Sequence, residues 1–321
     1  MAGFAGARTG TDPVTVRRRR RLFYVLALSG FAGFAFGIVV GAGGGSDSTA
    51  VSEEAPPAAE LPGGGQTLFP ERRVVALYGA PQDPELGALG IGTPDAAGRR
   101  LERQARDYEQ RDRPVLPAME LISMIAAEHP GERGDYNIRQ PDRVIDRYLR
   151  AARERDALLI LDVQPGYADF MDEVRRLEPY LREPDVGLAL DPEWHVVPPE
   201  IPGQVIGSVD AREVNRVSAY LDEIVATERL PQKLLVIHQF TEDMIAERES
   251  LEERPSLAIV LNSDGFGNIP QKEVKYDELG PQGPTRRFDA GFKLFYQEDF
   301  PLMTPNQVLD LKPEPDLVVY E

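Results

Sequence analysis

The chain has 321 residues, 42% hydrophobic and 28% charged, a balance that can build a core and excludes wholesale disorder. Its formal net charge of −17 argues against nucleic acid as a partner, because phosphate binding needs a basic surface. With no cysteine, disulfide scaffolds, thiolate zinc sites and cysteine nucleophiles are excluded, and His129, His195 and His238 lie too far apart for a paired-histidine metal motif.

Residues 1–21 are basic, with Arg8 and Arg17 to Arg21 set against Asp12. Residues 22–42, LFYVLALSGFAGFAFGIVVGA, carry no charge and are long enough as a helix to cross a hydrocarbon core of about 30 Å. Arginines before this stretch and only acids among the charged residues of 43–71 place the N-terminus in the cytoplasm and the remainder outside the cell. The expected arrangement is a single-pass membrane protein whose residues 22–42 contact the bilayer, with secretion after cleavage as the alternative. Gly33, Gly37 and Gly41 stand four apart, the spacing through which two such helices could pair weakly. Residues 43–70 are rich in Gly, Pro, Ser and acids without apolar periodicity, and read as a disordered tether.

From residue 71 to 321, short apolar runs alternate with amphipathic stretches. The runs cover 73–80, 114–124, 157–166, 186–194, 232–240, 256–264, 288–299 and 315–321. Helical patterns cover 93–110, 140–156, 167–182 and 208–230, with shorter ones at 241–253, 270–279 and 305–311. At 208–230, Ser208 and Asp210 are cap candidates, and Glu213 would complete a capping box. Runs apolar on both faces suit parallel strands covered on both sides. Eight strand–helix units in this length predict a (β/α)8 barrel, of usual size about 250 residues. An open doubly wound sheet is the alternative, but YGAPQDPELGALG after the first run lacks its glycine fingerprint.

Barrel chemistry sits at the C-terminal ends of the strands. The runs begin apolar and turn polar late, ending in Tyr78, Glu120, Asp162 with Gln164, Asp191 with Glu193 and Trp194, His238, Asn262 with Asp264, and Glu298 with Asp299. Period-2 geometry gives each of the pairs 162/164, 191/193 and 262/264 a common face, and inward is the direction that avoids burying carboxylates under helices. Acids around one rim raise one another's pKa, which separates a proton donor from an ionised partner. Glu193, Asp191, Asp162 and Glu298 are therefore the candidate catalytic groups. Trp194, Tyr78, Glu120, Gln164, His238, Asn262, Asp264, Lys293 and Tyr296 are candidate ligand contacts. Alternation leaves open whether Lys293 or Glu298 points inward. His195 and His238 each read either as acid/base groups or as hydrogen-bonded wall residues.

The LALDPEW ending of the fourth run resembles the strand-four ending of glycoside-hydrolase barrels, including chitinase-type and muramidase-type ones, although the common Asn-Glu pair is replaced by Pro192-Glu193. The resemblance implies Glu193 as proton donor and Glu298 as nucleophile. More broadly, GQVIGSVDAREVNRVSAYLDEI, LLVIHQF and KLFYQEDFPLMTPNQVL resemble a group of uncharacterised actinobacterial membrane-anchored or secreted proteins with a hydrolase-like barrel. Arginine dominance, with only five lysines among 36 basic residues, agrees with such a source. The expectation is a glycoside-hydrolase-like protein acting on envelope or extracellular polysaccharide without cofactor or metal. A non-catalytic glycan-binding barrel is the alternative. The minor one is a divalent-cation hydrolase using Glu120, Asp162, Asp191 and Glu193 as oxygen ligands.

Overall fold

A computed structural model describes residues 58–110, 112–281 and 286–321. Eight parallel strands form one closed sheet: β1 (Arg73–Gly79), β2 (Val115–Ala126), β3 (Leu158–Val163), β4 (Val186–Leu190), β5 (Lys233–Gln239), β6 (Leu257–Ser263), β7 (Asp289–Leu294) and β8 (Leu317–Tyr320). Each pairs with its neighbour in chain order, and β1 closes the ring on β8 with Val74 beside Leu317. Every expected run contains one strand. The fold is the expected (β/α)8 barrel, established by the pairing itself.

Two apolar layers explain why the runs show no alternation between polar and apolar residues. Val74, Ala76, Leu116, Ala118, Ile160, Ala189, Val236, Val260 and Val319 fill the interior of the barrel. Their neighbours, such as Val75, Leu159, Leu188, Ile237, Leu261 and Phe292, pack outward against the helices. At about 25 cal/mol per Å² of apolar surface buried, both faces of every strand favour closure.

The covering helices are α1 (Pro94–Arg106), α2 (Asp142–Arg153), α3 (Phe170–Arg175), α4 (Glu178–Leu181), α5 (Ala211–Glu228), α6 (Ile269–Leu279) and α7 (Pro305–Leu309). Local chemistry sets their starts. Thr93 caps α1 ahead of Pro94, and the capping boxes Asn268/Gln271 and Thr304/Gln307 open α6 and α7. Asp210 caps α5 as expected, but Glu213 accepts a hydrogen bond from the Phe170 backbone N–H instead of closing a capping box.

Two expected helices differ. The 167–182 pattern splits into α3 and α4, and Pro179 near the start of α4 has no N–H with which to continue the earlier helix. The 241–253 segment forms the 3₁₀ turns Glu242–Met244 and Arg248–Ser250, and between them Ile245–Ala246 pairs as a two-residue strand with Val209–Asp210. The link between β5 and β6 therefore has no α-helix; β6 is covered by α6, which follows it, and the long α5 also reaches it.

A larger difference concerns the tether. Its last part, from residue 58, is folded against the N-terminal end of the barrel. Leu61, Leu68 and Phe69 join the interior apolar layer, and Leu68 is fully buried. The Gln232 side chain, one residue before β5, accepts from the Leu68 N–H at 2.8 Å, and Arg72 donates to the Pro62 carbonyl at 2.6 Å. The expected span 22–42 and its glycines lie outside the described residues. Among the described residues, no helix is long and apolar enough to cross a membrane.

Candidate active site

At the C-terminal end of the barrel each strand contributes one inward polar side chain. Tyr78, Glu120, Asp162, His238, Asn262 and Lys293 come from the strands themselves, and Asp191 and Glu321 from the residues just after β4 and β8. Tyr78 follows Val74 and Ala76, and Asp162 follows Leu158 and Ile160, at the two-residue step that fixes the inner face. Asp264, two residues after Asn262, adds a further carboxylate.

Hydrogen bonds join these groups into one network. His238 lies between two acids, with Nε2 2.8 Å from Glu120 Oε1 and Nδ1 3.1 Å from both Asp264 oxygens. Lys293 donates to Asp264 at 3.2 Å and to Glu321 at 2.9 Å, and its ammonium stands 3.8 Å over the Tyr78 ring. The Tyr78 hydroxyl donates to Asp162 Oδ2 at 3.0 Å and accepts from Gln164 Nε2 at 3.0 Å. Gln164 also accepts from the Ala126 N–H, so the end of β2 is tied to β3. Asn262 donates to Asp264. Gly291, two positions before Lys293, leaves room for that amide: a Cβ there would lie 2.4 Å from Asn262 Oδ1.

Burial and charge set the protonation of this ring. Burial pushes Asp191 up to about 7, assisted by Glu193 and opposed by His238 and Lys293. Burial, with Asp191 beside it, also raises Asp162 well above the usual carboxylate range. Burial disfavours ionisation of Asp264 too, but Lys293 and His238 overcome it and hold this carboxyl at about 2. Burial likewise opposes charge on His238 and Lys293, yet Asp264 with Glu120, and Asp264 with Glu321, raise each well above its ordinary value.

The structure places the expected residues as follows. Tyr78, Glu120, Asp162, Gln164, Asp191, His238, Asn262, Asp264 and Lys293 lie together in the buried ring. The 162/164 and 262/264 pairs share the inner face, and Lys293 points inward. The 191/193 argument fails at its premise, because β4 ends at Leu190 and Pro192–Trp194 is a 3₁₀ turn without a two-residue period. Glu193 and Trp194 are half-buried in that turn.

Glu298 stands four residues beyond β7, outside the ring. It lines a shallow rim cleft, open to solvent, with Tyr296, Glu321 and Ile91. The Tyr296 ring stacks on Tyr320 and its hydroxyl donates to Gln104. Asp299 is structural: it pairs with Lys272 at 3.1 Å and accepts from the Gly267 and Phe295 N–H groups. His195 Nδ1 lies 2.8 Å from the Ser208 carbonyl, a wall contact.

Sequence reading missed Glu321 and Ser123. Counting by twos from Leu317 and Val319 would have pointed Glu321 inward. Ser123 sits at an irregularity in the β2–β3 register and donates to the Asp162 carbonyl at 2.7 Å, a bulge that no residue pattern announces.

These features define a (β/α)8 barrel with an acid-rich polar ring at its C-terminal mouth. No family model and no curated protein matches the chain. Among solved structures, a Ruminococcus gnavus sialic acid aldolase is similar, with a TM-score of 0.37 and 12% identity over 78% of this chain and 68% of that one. So loose a likeness says nothing about substrate.

Proposed function

We propose that this barrel is a glycoside-hydrolase-like protein that cleaves a polysaccharide of the cell envelope or its surroundings, with Asp191 as proton donor and Glu193 as second carboxylate. The observation that carries the reading is the surplus of acid around one mouth. Glu120, Asp162, Asp191, Asp264 and Glu321 converge there, and among the described residues His238 and Lys293 are the cations that pair directly with members of this set. Hydrolysis of a glycosidic bond needs a carboxyl that holds its proton near neutrality beside one that does not. Asp191, inward and buried at the end of β4, suits the first role, and the charge of Glu193 bears directly on it. Glu298, on the rim cleft rather than in the ring, is not assigned the nucleophile's role.

The surroundings of the mouth suit a sugar chain. Ile91, Val197, Ile206, Tyr296 and Phe300 are large exposed apolar side chains on loops that follow the C-terminal ends of strands, and exposed Ile138 lies on the short strand Asn137–Arg139 paired antiparallel to the end of β2. Such side chains can pack on the apolar faces of sugar rings while the acids address the hydroxyls. The anchored, extracytoplasmic placement read from residues 1–42 belongs to the same proposal.

The test is reducing-end release from a panel of envelope and extracellular polysaccharides by the full chain. Asp191→Asn is expected to lower turnover by about 10²-fold or more, with glycan binding retained. Wild-type protein that binds glycans without releasing ends would overturn hydrolysis in favour of a binding barrel. Failure to bind any glycan would remove the carbohydrate reading altogether.

A further inference from the structure

We infer that Glu120, Asp162 and His238 form a binding site for one divalent transition-metal ion of the Mn²⁺ or Zn²⁺ class, at the centre of the polar ring. The inference rests on the proposed hydrolase reading only in placing the ion at the same mouth. The site itself follows from the side chains.

One carboxylate oxygen from each acid and one ring nitrogen of His238 lie within 4.8 Å of one another, so a single ion can touch all three once the side chains draw in. The three come from β2, β3 and β5, rigid elements rather than loops. Glu120 and Asp162 are both 0% exposed, yet among the described residues Glu120 Oε2 and Asp162 Oδ1 have no hydrogen-bond partner. Buried acceptors left unpaired are costly, and both belong to the same cluster.

The surroundings match what a metal-bound histidine needs. A ligating imidazole gives its second ring N–H to a carboxylate, which fixes its tautomer and orientation. Asp264 stands on Nδ1 of His238, leaving Nε2 directed at Glu120. An ion would take the place of the proton now shared between Nε2 and Glu120 Oε1. Asp264 is held in turn by Lys293 and Asn262. Mixed carboxylate and imidazole donors favour Mn²⁺ or Zn²⁺ over the oxygen-only preference of Mg²⁺ and Ca²⁺.

The experiment is titration of the chelator-treated full chain with Mn²⁺, Zn²⁺, Mg²⁺ and Ca²⁺ separately, read by calorimetric stoichiometry and melting temperature. One equivalent of Mn²⁺ or Zn²⁺ is expected to bind. At a hundredfold excess over Kd, Tm is expected to rise by about 5 °C or more. The isosteric variants Glu120→Gln and Asp162→Asn are expected to lose at least tenfold in metal affinity. Asp264→Asn, a positioning change, should lose about 10–100-fold. Glu298→Gln should bind as wild type does. Wild-type protein that neither binds nor is stabilised by either transition metal overturns the inference, as does undiminished binding by Asp162→Asn. Metal binding without glycan turnover would sink the hydrolase reading alone. Turnover without metal binding would sink this one alone.

Discussion

Asp264→Asn removes the one negative charge that His238 and Lys293 share. Both cations are buried, and each keeps one other acid: Glu120 at 2.8 Å from His238, and Glu321 at 2.9 Å from Lys293. Breaking a buried ion pair from one side costs about 3–5 kcal/mol when the remaining charge is left alone. The surviving partners place this case below that range. The proton equilibrium of Asp264 gives a second route to the figure. Its pKa falls from an unfolded value near 3.8 to about 2 in the folded protein, and each unit is worth about 1.4 kcal/mol. The ionised carboxylate thus contributes about 2 kcal/mol above pH ~4, a contribution lost as pH falls toward 2.

An asparagine mimics the protonated acid, so the variant should be about 2 kcal/mol less stable at pH 7. Urea denaturation in the presence of chelator, followed by far-UV circular dichroism, should show a lower midpoint with an unchanged slope. The gap between variant and wild type should narrow as pH drops from 4 to 2. Lys293→Met combined with Asp264→Asn should cost less than the sum of the two single changes, because the pair is in direct contact. A variant within about 0.5 kcal/mol of wild type at pH 7, or a gap that stays constant down to pH 2, would refute the electrostatic account of this ring.

Two further outcomes test the frame around the site. Leu68→Ala should cost about 2–5 kcal/mol, as expected for a fully buried leucine, and deletion of residues 58–71 should lower the melting temperature. Gly166→Ala should destabilise by at least about 1 kcal/mol in the same urea assay: the residue has φ +64° and an added Cβ would meet the Asp135 carbonyl oxygen at 2.2 Å.

All eight strands were legible because a parallel strand buried on both faces leaves a continuous apolar run. That same feature hid the direction of Lys293. With Phe292 and Leu294 packed outward and the barrel interior equally apolar lower down, alternation around Lys293 fits either face. Period-2 reasoning worked within strands, as for Asp162, and failed where the strand had stopped, as for Glu193 in its 3₁₀ turn. Helix lengths were less legible: Pro179 divides one pattern, and the 241–253 segment forms two 3₁₀ turns and a two-residue strand in place of a helix. Composition misled at 58–70, where three apolar residues suffice to fix a glycine-rich segment that otherwise reads as a spacer. The late shift from apolar to polar residues announced the polar ring at the C-terminal mouth. The connections within it were hidden, because the stagger between strands decides which acid faces His238.

The packing of Leu61, Leu68 and Phe69 beneath the strands also fixes an orientation. Residue 58 thus stands at the pole opposite the ring of Glu120, Asp162, Asp191 and Asp264. Coupling the protein to a surface through residue 58 should therefore leave the polar ring facing away from that surface.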